Sequence, residues 1–199
     1  GACVGHETAR IGEGADMLAR GVLSFVNAAA ARRGLAPGMA AARAMELLLA
    51  AAPPAAEVAD RMDEARREIA GVGRGAVRVF TLDSNGLVGP EDAGHVVVTG
   101  SHGGLLGGRP ETAVKADVFA ALYNDAGIGI DRAGLSRLPA LDARGIAGGC
   151  VSCFSARIGD GMSTWEDGWI SAVNATAAAR GGMIGQSARD FVAALLEHA

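Results

Sequence analysis

The chain has 199 residues, 50% of them hydrophobic and 20% charged, which is enough apolar material for one sizeable core. Its formal net charge of −4 argues against nucleic acid as a partner, because nucleic-acid-binding proteins present a basic surface. No window approaches the roughly 20 apolar residues that a membrane span needs, so we expect no membrane partner.

Three cysteines, Cys3, Cys150 and Cys153, favour free thiols in a reducing compartment, because a chain of this size does not depend on disulfides. The lack of a charged and then apolar leader points the same way, and we expect a cytoplasmic protein. Cys150 and Cys153 have C-x-x-C spacing. Residues three apart in a strand point to opposite faces, so we expect neither a redox pair nor a zinc site there.

Residues 1–70 carry helical signals and no strand signal. Apolar side chains recur at i, i+3, i+4 and i+7 over residues 14–33, and further helices are predicted over 39–52 and 55–70. We therefore divide the chain into a helical N-terminal region, residues 1–70, and an α/β domain, residues 71–199. No internal repeat is predicted.

From residue 71 onwards, strand and helix signals alternate. Short apolar runs predict strands over residues 76–82, 95–99, 118–123 and 146–153, and helical segments are predicted over 110–115, 135–143, 169–180 and 187–198. This alternation predicts an α/β fold with a small, mostly parallel sheet and helices on both faces. The short connection between the first two of these strands favours an antiparallel edge there.

The predicted strands share one property: polar residues stand where each of them ends. In an open α/β sheet, ligands bind beyond the carboxyl ends of parallel strands. We therefore expect a site at this edge of the sheet, built from Asp83 and Ser84, Ser101 and His102, Asn124 and Asp125, and Ser152, Cys153 and Ser155.

His102 is the leading catalytic candidate, because it lies in a glycine-rich loop after an apolar strand and imidazole suits general acid and base chemistry. Asp125 is expected to orient its ring, and Ser152 to be the nucleophile, with Cys153, Ser101 or water as alternatives. The structural alternatives are a ring bonded to the main chain and an Asx turn at Asp125.

Other residues at the same edge of the sheet are expected to bind the substrate. The N–H groups of Gly103 and Gly104 are expected to stabilise negative charge, and Ser101 and Asn124 to contact the substrate. Arg157, in a polar loop predicted over residues 155–167, is expected to bind an anionic group. The predicted partner is a small anionic metabolite.

These residues predict a hydrolase that acts on an amide, ester or cyclic amide of that metabolite without a cofactor. One alternative is a metal-assisted hydrolase or lyase, with a divalent ion on His102, Asp125 and Asp160. Another is a non-catalytic ligand-binding or assembly subunit, whose helical N-terminal region packs against a second copy in a homo-oligomer.

Overall fold

The computed structural model describes residues 1–51 and 63–199, and within them it shows eight strands and seven helices. The strands are β1 (Ala2–Val4), β2 (Leu23–Val26), β3 (Arg66–Arg74), β4 (Val77–Leu82), β5 (Val96–His102), β6 (Ala120–Asn124), β7 (Ala147–Val151) and β8 (Ile170–Val173). The helices are α1 (Gly14–Arg20), α2 (Ala28–Ala31), α3 (Ala41–Ala50), α4 (Arg137–Asp142), α5 (Gly161–Asp167), α6 (Ala175–Ala179) and α7 (Ala188–Leu196).

Strands β3 to β8 form a six-stranded sheet in chain order. Strands β4, β5, β6 and β7 are parallel, and β3 and β8 pair antiparallel at the two edges. The predicted small, mostly parallel sheet is therefore confirmed. The first two predicted strands, now β4 and β5, pair in parallel, so the antiparallel edge expected between them is wrong. The antiparallel pairs are β3–β4 and β7–β8.

Apolar side chains cover both faces of this sheet. On one face, Val97 and Tyr123 pack in a core with Leu141 of α4. On the other face, Val98 packs in a core that includes Phe191 of α7 and side chains of α5. Burial of both faces explains why the strands carry nearly uninterrupted apolar runs.

The helical N-terminal region is not confirmed, because the first strand begins at residue 2 and pairs antiparallel with β2. Strand β2 interrupts the helix predicted over 14–33, whereas the helix predicted over 39–52 is confirmed as α3. The helix predicted over 55–70 lies partly outside the described residues, and its last five residues belong to β3. The division after residue 70 stays a prediction and falls within β3.

In the C-terminal part of the chain, too, a predicted helix contains a strand. The helix predicted over 169–180 consists of strand β8 followed by α6, and the loop predicted over 155–167 contains α5. The helices predicted over 135–143 and 187–198 are confirmed as α4 and α7. Residues 110–115 form only a short 3-10 turn, Pro110–Thr112.

The sequence analysis missed β2 and β8, which occupy equivalent positions because the chain contains an internal repeat. The expectation that the chain has no repeat is wrong. Residues 1–51 recur as residues 148–198 at a constant offset of 147, and the tetrapeptide Ala-Arg-Ile-Gly stands at both 9–12 and 156–159. We call these segments the N-terminal copy and the C-terminal copy. The order β1-α1-β2-α2-α3 in the first matches β7-α5-β8-α6-α7 in the second.

The backbone geometry of the two copies agrees in detail. The β1–β2 and β7–β8 pairs have the same register and the same irregularity. Asn27 and Asn174 cap equivalent helices through their side chains. At both Gly21 and Gly168, a Cβ atom would lie 2.3 Å from a main-chain oxygen of the preceding helix, so only glycine fits where helix turns into strand.

Candidate functional site

The carboxyl ends of β4, β5, β6 and β7 lie along one edge of the sheet, because these four strands are parallel. The polar residues that follow them therefore stand at that edge, as the sequence predicts. The N-terminal copy packs on the same edge. Its Gly12 has φ +82°, and a Cβ there would lie 2.3 Å from the Leu105 oxygen and 3.4 Å from Cε1 of His102.

His102 has a fixed ring orientation. Its Nδ1 accepts a hydrogen bond from the Gly104 N–H at 3.1 Å. Because Nδ1 is an acceptor, the proton of the neutral ring resides on Nε2, which makes Nε2 a donor. Desolvation, and then the positive charge of Arg137, lower the pKa of His102 below its usual value, which favours the neutral ring. His102 is therefore suited to donate a hydrogen bond, and protonation at Nδ1 would cost it the Gly104 contact.

The lowered pKa of His102 makes the free energy of unfolding depend on pH. The unfolded chain takes up this proton just below pH 6.5, and the folded chain does so only at lower pH, so stability falls as the pH drops through that interval. One proton contributes at most about 1.4 kcal/mol per pH unit. We expect urea unfolding of His102→Gln to lack this slope, and that of the exposed control His198→Gln to retain it.

Three aspartates with lowered pKa values do not contribute to this pH dependence of stability. Hydrogen bonds and charges from arginines lower the pKa of Asp16 and Asp131 below the ordinary value of 3.8, and a hydrogen bond from the Ser163 N–H, followed by one from Arg157, lowers that of Asp160. The stabilising effect of these carboxylates is therefore complete above that value and is lost only in stronger acid. An unchanged slope in His102→Gln between pH 6.5 and 5 would contradict the neutral ring.

A cavity of about 480 Å³ adjoins His102, and we call it the His102 cavity. Ser101 lines it, and its Oγ accepts a hydrogen bond from the Asn85 N–H at 2.8 Å, so its own proton remains to be donated. Lys115 is at its rim, where Nζ donates to the Gly86 oxygen at 2.6 Å. The full lining is Ser84, Asn85, Gly86, Ser101, His102, Leu106, Glu111, Thr112, Lys115 and Arg137.

Arg137 is the most unusual residue of this lining, because it is 2% exposed. Its Nε donates to the His102 oxygen at 3.2 Å, and its Nη1 donates to the oxygens of Thr112 and Ala113. Its guanidinium carbon lies 5.0 Å from the centre of the Tyr123 ring. Within residues 1–51 and 63–199 no carboxylate pairs with it, so main-chain oxygens and the Tyr123 ring stabilise its charge. Glu111 also lines the cavity, but its carboxylate pairs with Arg109 at 3.9 Å.

The predicted anion-binding role of the Gly103 and Gly104 N–H groups has no geometric support. The Gly103 N–H donates to the Asn124 oxygen at 2.7 Å, and the Gly104 N–H donates to His102. Both donors are therefore engaged inside the protein. Gly103 instead meets a packing need, since a Cβ there would lie 2.3 Å from the Gly134 oxygen.

The predicted His102, Asp125 and Ser152 arrangement does not form a hydrogen-bonded triad. Oδ1 of Asp125 accepts from the Gly127 N–H, which forms an Asx turn, and from the Cys153 N–H, both at 2.9 Å. Ser152 Oγ accepts from the Phe154 N–H at 3.2 Å. In the described part of the chain, no hydrogen bond links the His102 ring to either residue.

The two neighbouring cysteines are weak nucleophiles. Burial, followed by the nearby charge of Asp125, raises the pKa of Cys150 and of Cys153. The thiolate is the reactive form of cysteine, and it is disfavoured at both positions.

Neither Asn124 nor Arg157 lines the His102 cavity. Buried Asn124 donates from Nδ2 to the Ala156 oxygen at 3.0 Å and holds the loop after β7. Exposed Arg157 forms an ion pair with Asp160 at 3.0 Å and lines a separate cavity with Cys153. Neither residue is placed to bind a substrate beside His102.

The predicted metal ligands are not brought together. Asp160 caps α5 by accepting from the Ser163 N–H at 2.9 Å, while Asp125 closes its own turn. Among the residues whose placement is described, no cluster of three histidine, cysteine or acidic side chains could hold a metal ion. The alternative of a metal on His102, Asp125 and Asp160 has no geometric support there.

Sequence reasoning missed Arg137 and Lys115. Lys115 is the one lysine of the chain, and it was assigned only to the last position of the helix predicted over 110–115. Arg137 lies in the helix predicted over 135–143, where an arginine is ordinarily solvent-exposed. Its burial follows from contacts with residues far away in the sequence, so no local signal identifies it.

No family model, no curated protein and no solved structure matches this chain. Among the described residues, no helix combines the length and apolar character needed to cross a lipid bilayer. Functional inference therefore rests on the site itself.

Proposed function

We propose that this protein binds a small organic anion in the His102 cavity. The observation that carries the proposal is the buried, carboxylate-free guanidinium of Arg137 at the cavity wall. Main-chain oxygens and the Tyr123 ring stabilise this cation only in part, and a ligand carboxylate or phosphate would add a counter-charge. Lys115 at the rim adds a second positive charge.

The chemistry that fits this site is hydrolysis of an amide, ester or cyclic amide of that anion. Nε2–H of His102 and the Ser101 hydroxyl are donors that can polarise a carbonyl and stabilise negative charge on its oxygen. Ser152 and Asp125 have no part in this mechanism. Water attacks the carbonyl carbon, the bond to the amide nitrogen or ester oxygen breaks, and the proton released by the water passes through solvent to that leaving group. His102 would act as a hydrogen-bond donor to the carbonyl oxygen rather than as general base, because a neutral imidazole that gave up its Nε2 proton would become an imidazolate.

A non-catalytic ligand-binding subunit is the second candidate. It is favoured by the Asx turn at Asp125, which leaves the His102 ring without a hydrogen-bonded carboxylate in the described ranges. The same donors would hold the anion without converting it. For either candidate we propose a cytoplasmic location, consistent with three free cysteines.

Two measurements test the proposal. Titration calorimetry measures the binding of succinate, and NMR then follows the hydrolysis of its monoamide and of its cyclic imide. We expect succinate to bind, and Lys115→Met to weaken binding by about tenfold through loss of a charge-assisted hydrogen bond. Arg109→Met is the matched control, because Arg109 is also exposed but lies outside the cavity lining.

The outcomes separate the two candidates. Consumption of the monoamide or imide, lost in His102→Gln, supports the hydrolase. Binding without turnover supports the ligand-binding subunit. Equal effects of Lys115→Met and Arg109→Met would contradict the placement of the ligand in the His102 cavity.

A further inference from the structure

The N-terminal copy exposes an apolar surface that the C-terminal copy buries. On α1 and α3 this surface, here called the α1–α3 face, consists of Met17, Leu18, Met45, Leu48 and Leu49. Leu18 and Leu49 are 43% and 80% exposed, whereas their equivalents Trp165 and Leu196 are 6% and 7% exposed. The positions equivalent to the other three, Thr164, Val192 and Leu195, are fully buried.

The structure shows what covers the equivalent surface in the C-terminal copy. Trp165, Val192 and Leu196 pack in one core with the valines and leucine of β4, β5 and β6. The strands differ in the same way, because β7 pairs with both β6 and β8, whereas β1 pairs only with β2 among the described residues. The N-terminal copy therefore presents both a bare helix face and an unpaired strand edge where its counterpart meets a sheet.

We propose that the α1–α3 face and the open edge of β1 form a docking surface for a sheet built like β4–β6. Every member of the face is a leucine or a methionine, and the exposed charges of α3, Arg43 and Glu46, pair with each other at 2.7 Å. Several contiguous exposed apolar side chains of this kind mark an interaction surface. The backbone around the face has the geometry of the copy that already holds such a sheet.

A second molecule of this chain cannot supply the sheet in its folded form. Its own β4–β6 face is already covered by α5 and α7. Two α1–α3 faces could still meet directly in a dimer. The occupant we infer is instead a β4–β6-type sheet whose face is uncovered. This inference is independent of the ligand proposed for the His102 cavity.

A tandem chain tests the inference. Residues 63–147 are joined directly before Gly1 of the full chain, and since Gly1 is equivalent to Gly148, the new junction reproduces the natural bond after Ala147. Hydrogen exchange of α3 is then compared between the tandem chain and the 199-residue chain. Burial of leucine side chains predicts exchange slower by about tenfold or more in the tandem chain.

Substitutions identify the surface. Leu49→Glu should abolish the slowing in the tandem chain and leave exchange in the 199-residue chain unchanged. Ile184→Glu, a control that replaces an exposed apolar residue outside the face, should leave the slowing intact. Equal exchange of α3 in both chains would overturn the proposal. So would a dimer of the 199-residue chain, seen in sedimentation, that Leu49→Glu disrupts, because the occupant would then be a second copy.

Discussion

Replacing Arg137 with methionine is expected to abolish succinate binding and to lower the free energy of unfolding by about 2–5 kcal/mol. The loss of binding follows from removal of the buried positive charge at the cavity wall. The loss of stability follows because the oxygens of His102, Thr112 and Ala113 would lose their donor inside the protein. Calorimetry and urea unfolding measure the two effects separately.

Arg144 provides the matched control. It also donates to main-chain oxygens, those of Val114 and Ala116, but it lies outside the His102 cavity. Arg144→Met should therefore lower stability and leave succinate binding intact. If Arg137→Met is too unstable to study, Arg137→Lys retains the charge and should bind succinate more weakly than the native chain. Native affinity in a folded Arg137→Met protein would contradict the assigned site.

The central sheet was predictable because local sequence determines it. Strands β4, β5, β6 and β7 are short apolar runs that end in polar or glycine residues, and their burial on both faces leaves no helical periodicity. Their parallel arrangement then placed His102 and Ser101 at the carboxyl edge of the sheet, where the sequence predicts them. The position of the candidate site follows from these two facts.

Strands β2 and β8 were not predictable in the same way. Each has four residues and runs into an alanine-rich helix, α2 or α6, so apolar positions at helical spacing continue from the strand into the helix. Pairing with β1 and β7, which lie about twenty residues earlier in the chain, decides their conformation. The repeat itself was visible in the sequence, but divergent core residues such as Ala44 and Phe191 obscured it.

The chemistry of the site depends on hydrogen bonds that the sequence does not reveal. A glycine-rich loop predicts available N–H groups, yet those of Gly103 and Gly104 are bonded to Asn124 and to the His102 ring. The hydrogen bond from Gly104 fixes the proton of the neutral His102 ring on Nε2. The proposed role of His102 is therefore hydrogen-bond donor, whereas the sequence predicted a general base. In the proposed function, Arg137 takes the anion-binding role that the sequence analysis gave to those amides and to Arg157.

Phe191 shows how the two copies repacked the same core, and this predicts energetic coupling. A Cβ at Gly149 would lie 2.9 Å from Cζ of Phe191, and one at Gly182 would lie 2.5 Å from its Cε2. In the N-terminal copy the equivalents of Gly149, Gly182 and Phe191 are Ala2, Leu35 and Ala44. The large and small residues have exchanged places, so the packed volume is retained.

We expect Gly149→Ala to cost about 1–3 kcal/mol by overpacking, and Phe191→Ala to cost about 3–5 kcal/mol by leaving a cavity. The double variant should be more stable than the sum of both losses predicts, by about 0.5–3 kcal/mol. Adding Gly182→Leu fills the remaining space and should recover further stability. Urea unfolding of the four chains and the native protein measures these differences.

Gly148→Ala is the control for this cycle, because a Cβ there would also lie 2.9 Å from a side chain, but from Leu141 rather than Phe191. Its cost should add to that of Phe191→Ala without coupling, since the two residues do not share the contact. Coupling at Gly149 but not at Gly148 would show that Phe191 and Gly149 changed together as the copies diverged. Additive costs at both glycines would mean that the exchange of large and small residues between the copies has no energetic basis.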